Sequence, residues 1–128
     1  MTFKPLALLA GALVGALPAS AHHSFATTYS IEGTTTRIEG NVVDFVFQNP
    51  HSFVHLVAPD ADGRIRRWTV EWGSVSRLTQ RGVTGETLKP GDHVLVAGAP
   101  GRNPADYKLL MRGITRPKDG WTWGAPVQ

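Results

Sequence analysis

Between residues 34 and 47 the chain is dense in β-branched and aromatic side chains: Thr34-Thr35-Thr36, then Val42, Val43, Phe45, Val46 and Phe47. Such residues fit a pleated, half-buried surface, and a two-residue period puts Val43, Phe45 and Phe47 on one face with Asp44 and Gln48 on the other. Gly40 and the doubled Val42-Val43 predict a bend or bulge midway. Asn49-Pro50 then stops the strand. A second strand runs over Ser52–Ala58, with both faces partly apolar, and Pro59-Asp60-Ala61-Asp62-Gly63 is a turn. A third strand follows from Arg64 to Trp72, with Trp68, Val70 and Trp72 on its inner face and Arg67, Thr69 and Glu71 outside. The short turn makes these two strands an antiparallel hairpin.

A helix signal comes next. Gly73-Ser74 caps a short helix through Val75, Leu78 and Arg81, closed by Gly82. Thr87 to Asp92 turns into a fourth strand, His93 to Ala99. A Pro- and Gly-rich loop over 99–104 leads to a fifth strand, Tyr107 to Thr115. Residues 116–128 read as a polar tail whose Trp121 and Trp123 dock back on the body of the fold. Three strands, a short helix and two strands is the order of the OB-fold, a five-stranded Greek-key barrel. The expected fold class is therefore all-β, an OB-fold-like barrel with one short helix between strands 3 and 4. A meander sheet under one covering helix is the alternative.

The N-terminus has a different pattern. Lys4 precedes an uncharged run from Leu6 to Leu17, then Pro18 and the small-residue site Ala19-Ser20-Ala21. This is the pattern of a secretory signal peptide, and twelve apolar residues fall short of the roughly 20 that span a bilayer. Residues 1–21 are expected to be removed, leaving residues 22–128 as a single barrel domain, periplasmic or secreted from a bacterium. Cysteine is absent, which excludes disulfides, thiolate metal sites and a cysteine nucleophile. A net charge of +3 is too small to argue for nucleic acid. Arg64, Arg66 and Arg67 beside Trp68 more simply protect a strand edge.

Cleavage after Ala21 makes His22 the first residue, followed by His23. A terminal histidine offers its α-amine and ring Nδ1 as a chelating pair, and a third nitrogen from a distant histidine completes a copper brace. His51, placed by Pro50, is the candidate for that nitrogen. Pairing Val57 with Ile65 sets His51 opposite Glu71, so the carboxylate can orient the ring behind a metal. The metal candidates are thus His22, His51 and His23, with Glu71 supporting. His51 and His55 stand roughly 13 Å apart along a strand and do not chelate together. His93 is read as a solvated histidine at a strand start.

Ala21-His22-His23-Ser24, Asn49-Pro50-His51, Trp68-Thr69-Val70-Glu71, Arg81-Gly82 and Leu88-Lys89-Pro90-Gly91-Asp92 occur in that order. With these motifs the chain resembles a family of small exported bacterial proteins known only as a domain of unknown function. The resemblance implies an exported β-barrel and brings no activity. No nucleophile elbow, phosphate loop or dinucleotide motif is present, so an enzyme is the weaker expectation. The leading reading is an exported binding or accessory protein that takes copper. The rival is a metal-free module that binds a peptide, glycan or partner protein on the barrel face.

Overall fold

The computed structural model describes residues 25–128 together with Thr2. The predicted signal peptide and the candidate ligands His22 and His23 lie outside the described residues. The elements are β1 (Thr36–Val46), β2 (Phe53–Pro59), β3 (Ile65–Glu71), α1 (Val75–Thr79), β4 (His93–Pro100), β5 (Lys108–Arg116) and β6 (Trp121–Gly124), with a 3-10 turn at Pro104–Asp106. Sheet order is β3-β2-β1-β4-β5-β6. A parallel seam, Thr69 against Lys108 through Glu71 against Leu110, joins β3 to β5 and closes the first five strands into a barrel. The helix sits between β3 and β4, so the predicted OB-type topology holds.

Alternation along the strands fills the interior. Val54, Leu56, Trp68, Val70 and Trp72 are all buried, joined by Leu78 from α1 and by Val94, Val96, Leu109 and Ile114. β1 bends where expected, with its pairing to β2 slipping between Val42 and Asp44. The bulge changes which residues face inward. Val42 is buried ahead of it and Phe45 and Phe47 pack on the core behind it, so Val43 leaves the inner face on which simple alternation put it. Gly40 is dictated by contact: a Cβ there would stand 1.9 Å from the Val57 carbonyl oxygen. Gly82, at φ 81°, ends α1 as predicted, with the Val83 N–H donating to the Leu78 carbonyl.

Two further expectations are corrected. The β2–β3 hairpin pairs Val57 with Arg67 and Pro59 with Ile65, two residues away from the Val57–Ile65 register. The cause is Asp60, whose Oδ1 accepts from the Asp62 and Arg64 amides at 2.9 Å each. The turn is thereby confined to residues 60–64 and Pro59 becomes the last residue of β2. The tail is also more than a tail, since β6 pairs with β5 from Gly113–Gly124 to Arg116–Trp121. Asp119 and Gly120 make the intervening turn, held by bonds from Arg116 to the Asp119 carboxylate. That guanidinium holds the Asp119 carboxyl below the usual carboxylate range.

An N-terminal arm precedes β1. Residues 25–28 form a helical turn, and Tyr29 bridges to Gly101. The arm is stitched down by Ser30 N–H to the Pro100 carbonyl, Arg102 N–H to the Thr28 carbonyl, and Arg112 to the Thr35 hydroxyl and the Ile31 carbonyl. Among the described residues no helix is long and apolar enough to cross a membrane.

Candidate functional site

The loop between β1 and β2 places His51. It follows a cis Asn49–Pro50 peptide, and both flanks of the loop are fastened. Asn49 Oδ1 accepts from the Val75 amide at 2.9 Å. Ser52, fully buried, exchanges hydrogen bonds with the backbone of Gln48 at 3.2 Å. The Ser52 and Trp72 amides extend the β2–β3 ladder beyond Phe53 and Glu71, to the carbonyls of Gly73 and Ser52. His51 therefore lies one step past that pair, on the same face as Glu71 and diagonal to it.

The two side chains meet. His51 Nδ1 is 2.7 Å from Glu71 Oε1. The other carboxylate oxygen accepts from the Tyr29 hydroxyl at 2.5 Å. Tyr29 is 3% exposed. Its pKa is pushed well above the ordinary tyrosine value, first by burial, then by its bond to Glu71 and that carboxylate's charge. The phenol stays protonated and donates. A carboxylate that accepts at both oxygens puts a proton on Nδ1 of His51, and the neutral ring then carries its lone pair on Nε2. Nε2 has no partner among the described residues. The arrangement supplies an oriented imidazole base or metal ligand, backed by a carboxylate and a phenol.

Phe25 lies against this ring, with centroids 5.2 Å apart. A cleft of about 400 Å³ opens beside it, lined by His51, Glu71, Arg77, Met111, Trp72 and Trp123 among others. Trp72 and Trp123 meet edge to face at 5.1 Å, so the tail's tryptophan does dock on the barrel and forms one wall.

The remaining histidines are elsewhere. His55 Nδ1 is 3.2 Å from Thr69 Oγ1 on the outer side of the hairpin. His93 bonds Glu39 Oε1 and Asn41 Oδ1, each at 2.8 Å, on the β1–β4 surface. Among the described residues no three His, Asp or Glu side chains gather into a metal-sized cluster. Arg66 is paired with Asp60 at 2.9 Å and is not a free cation. Tyr29 is the participant that sequence reasoning missed. It lies 42 residues from Glu71, in a segment with no periodicity, and only its position in the arm brings it there.

Fold and site together define an OB-type barrel whose β1–β2 loop presents a histidine held by a Glu–Tyr pair. The chain belongs to a family of unknown function, DUF6152, whose family model matches residues 11–109. No curated protein matches the chain.

Proposed function

We propose that the protein is an exported binding or accessory protein that takes one Cu(II) ion through a histidine brace. The donors are the α-amine and Nδ1 of His22, made terminal by cleavage after Ala21, and Nε2 of His51. His23 stands next in line as a further imidazole. Glu71 orients His51 from behind, and Tyr29 fixes Glu71.

One observation carries this reading: the ring of Phe25 rests on the ring of His51, whose Nδ1 is already engaged by Glu71. His22 is three residues before Phe25, and three residues reach at most about 10 Å. A terminus created at His22 is thus tethered within reach of an imidazole with its Nε2 lone pair free. Imidazole and amine nitrogens suit copper, and a third ligand already held in place lowers the cost of assembling the set.

The test is calorimetric titration and electron paramagnetic resonance on protein beginning at His22. One Cu(II) with nitrogen hyperfine coupling is expected. His51→Ala removes a ligand. A variant with one extra alanine before His22 displaces the free amine and loses the site. Equal copper affinity in the extended and mature proteins overturns the reading, as does recovery from the periplasm of a chain that retains residues 1–21.

A further inference from the structure

We propose that a second cleft, at the β4–β5 loop, is a subsite for one ring of an acidic saccharide. It is independent of the copper reading and shares no lining residue with the His51 cleft.

This cleft has a volume of about 420 Å³ and is lined by Ser30, Thr36, Trp68, Arg102, Tyr107 and Lys108, with other residues of the β4–β5 loop. Its wall is aromatic and rigid. Trp68 donates its indole N–H to the Ala58 carbonyl at 3.2 Å and meets Tyr107 edge to face at 5.4 Å. The Arg66 guanidinium lies 4.9 Å from the centre of the Tyr107 ring and is itself anchored by Asp60. Tyr107 is the one non-glycine among the described residues with a left-handed backbone, φ 46°. An L side chain holds that conformation only where its surroundings impose it, and such residues concentrate at binding sites. Here the constraint is the 3-10 turn that Asn103 caps at its start and Tyr107 closes at its end.

The polar groups indicate the ligand. Ser30, Thr36 and Tyr107 each bring a hydroxyl with no partner among the described residues. A hydroxyl both donates and accepts, which matches a ligand whose own groups are hydroxyls. The rim is cationic. Lys108 Nζ lies 3.6 Å from Asp106, a loose pairing, and Arg102 commits Nε to the Ala26 carbonyl while its other N–H groups stay available. An apolar wall, unpaired hydroxyls and two cations at the edge of a one-ring cleft fit a uronic acid. An oligonucleotide needs a track of cations along its phosphates and open aromatic faces for successive bases. A cleft for one ring, with Arg66 already over Tyr107, offers neither.

The probe is trigalacturonate, titrated into the protein and followed by amide chemical shifts, with cellotriose and a thymidine oligonucleotide run in parallel. Saturable shifts centred on Gly101 to Lys108 are expected with trigalacturonate, and roughly tenfold weaker binding with cellotriose, the difference one charge-assisted contact makes. Tyr107→Asn removes the ring but keeps a residue at ease in the left-handed region, and should weaken binding by about tenfold or more. Lys108→Gln, a partly exposed change that leaves the fold alone, should erase the preference for the acidic trisaccharide. Absence of shifts at ~10 mM trigalacturonate, which caps any affinity at the millimolar level, overturns the proposal. So does binding that Tyr107→Asn and Lys108→Gln leave unchanged, or tighter binding of the oligonucleotide at the same residues.

Discussion

His51 and His93 make nearly the same contact with a glutamate. Each ring nitrogen stands 2.7–2.8 Å from a glutamate oxygen, and each histidine lies at or just before the start of a strand. Their surroundings separate them. Glu39 is 60% exposed, whereas Glu71 is 14% exposed and holds a buried phenol on its second oxygen. His93 engages both ring nitrogens, one with Glu39 and one with Asn41, so it has nothing left to offer. His51 engages one and keeps Nε2. A short distance between a histidine and a carboxylate therefore says little by itself. What remains unpaired on the ring, and what the carboxylate is fixed to, distinguish a candidate ligand from a solvated pair worth about 0–1 kcal/mol.

The barrel sets the scale against which both pairs are read. Trp68→Ala empties a buried site and should cost about 3–5 kcal/mol in urea unfolding, the largest effect expected. Tyr29→Phe strips a donor from a half-buried carboxylate and should cost about 1–3 kcal/mol. It also has a signature in pH. Because the folded pKa of Tyr29 is raised, its contribution is fully present below the ordinary tyrosine value of about 10 and is lost as pH climbs from there toward the folded value. The stability gap between wild type and Tyr29→Phe should thus narrow above about pH 10, and a gap that widens contradicts the hydrogen bond.

Glu71→Gln tests orientation rather than stability. The amide can still meet Tyr29, but its N–H₂ facing His51 favours the tautomer with the proton on Nε2. Stability should change little, while copper affinity falls by roughly 10–100-fold. The smallest effects belong to the other pair: Glu39→Ala should stay within about 0.5 kcal/mol, and His93→Ala should leave copper titration unchanged. A copper effect from His93→Ala as large as that from Glu71→Gln would erase the distinction between the two histidines.

Strand periodicity, the capped helix and the turn residues were legible because their causes are local. Val54, Leu56, Trp68, Val70 and Trp72 follow from alternation alone. The hairpin register was not legible, since the Asp60 carboxylate decides where the turn ends. His51 and Glu71 nevertheless meet, because a slip of two residues keeps every side chain on its face and turns an opposite neighbour into a diagonal one. β6 escaped notice because four residues give only two inward positions, Trp121 and Trp123, too few for a period. Tyr29 and Ser30 escaped for a different reason. Their partners lie across the fold, and no local pattern in the arm announces them.

The parallel seam between β3 and β5 has a consequence in time. β1 pairs with β4 across some sixty residues, Thr36 with Gly98, and the barrel stays open until Lys108 to Leu110 reach Thr69 to Glu71. Contacts so distant in sequence require closure of long loops before they return any stabilisation, which makes folding slow. As the chain grows from its N-terminus, the β2–β3 hairpin forms with no closed core to bury it. That late-arriving strand acts as a timer, holding off the closed barrel until Lys108 to Leu110 have been made.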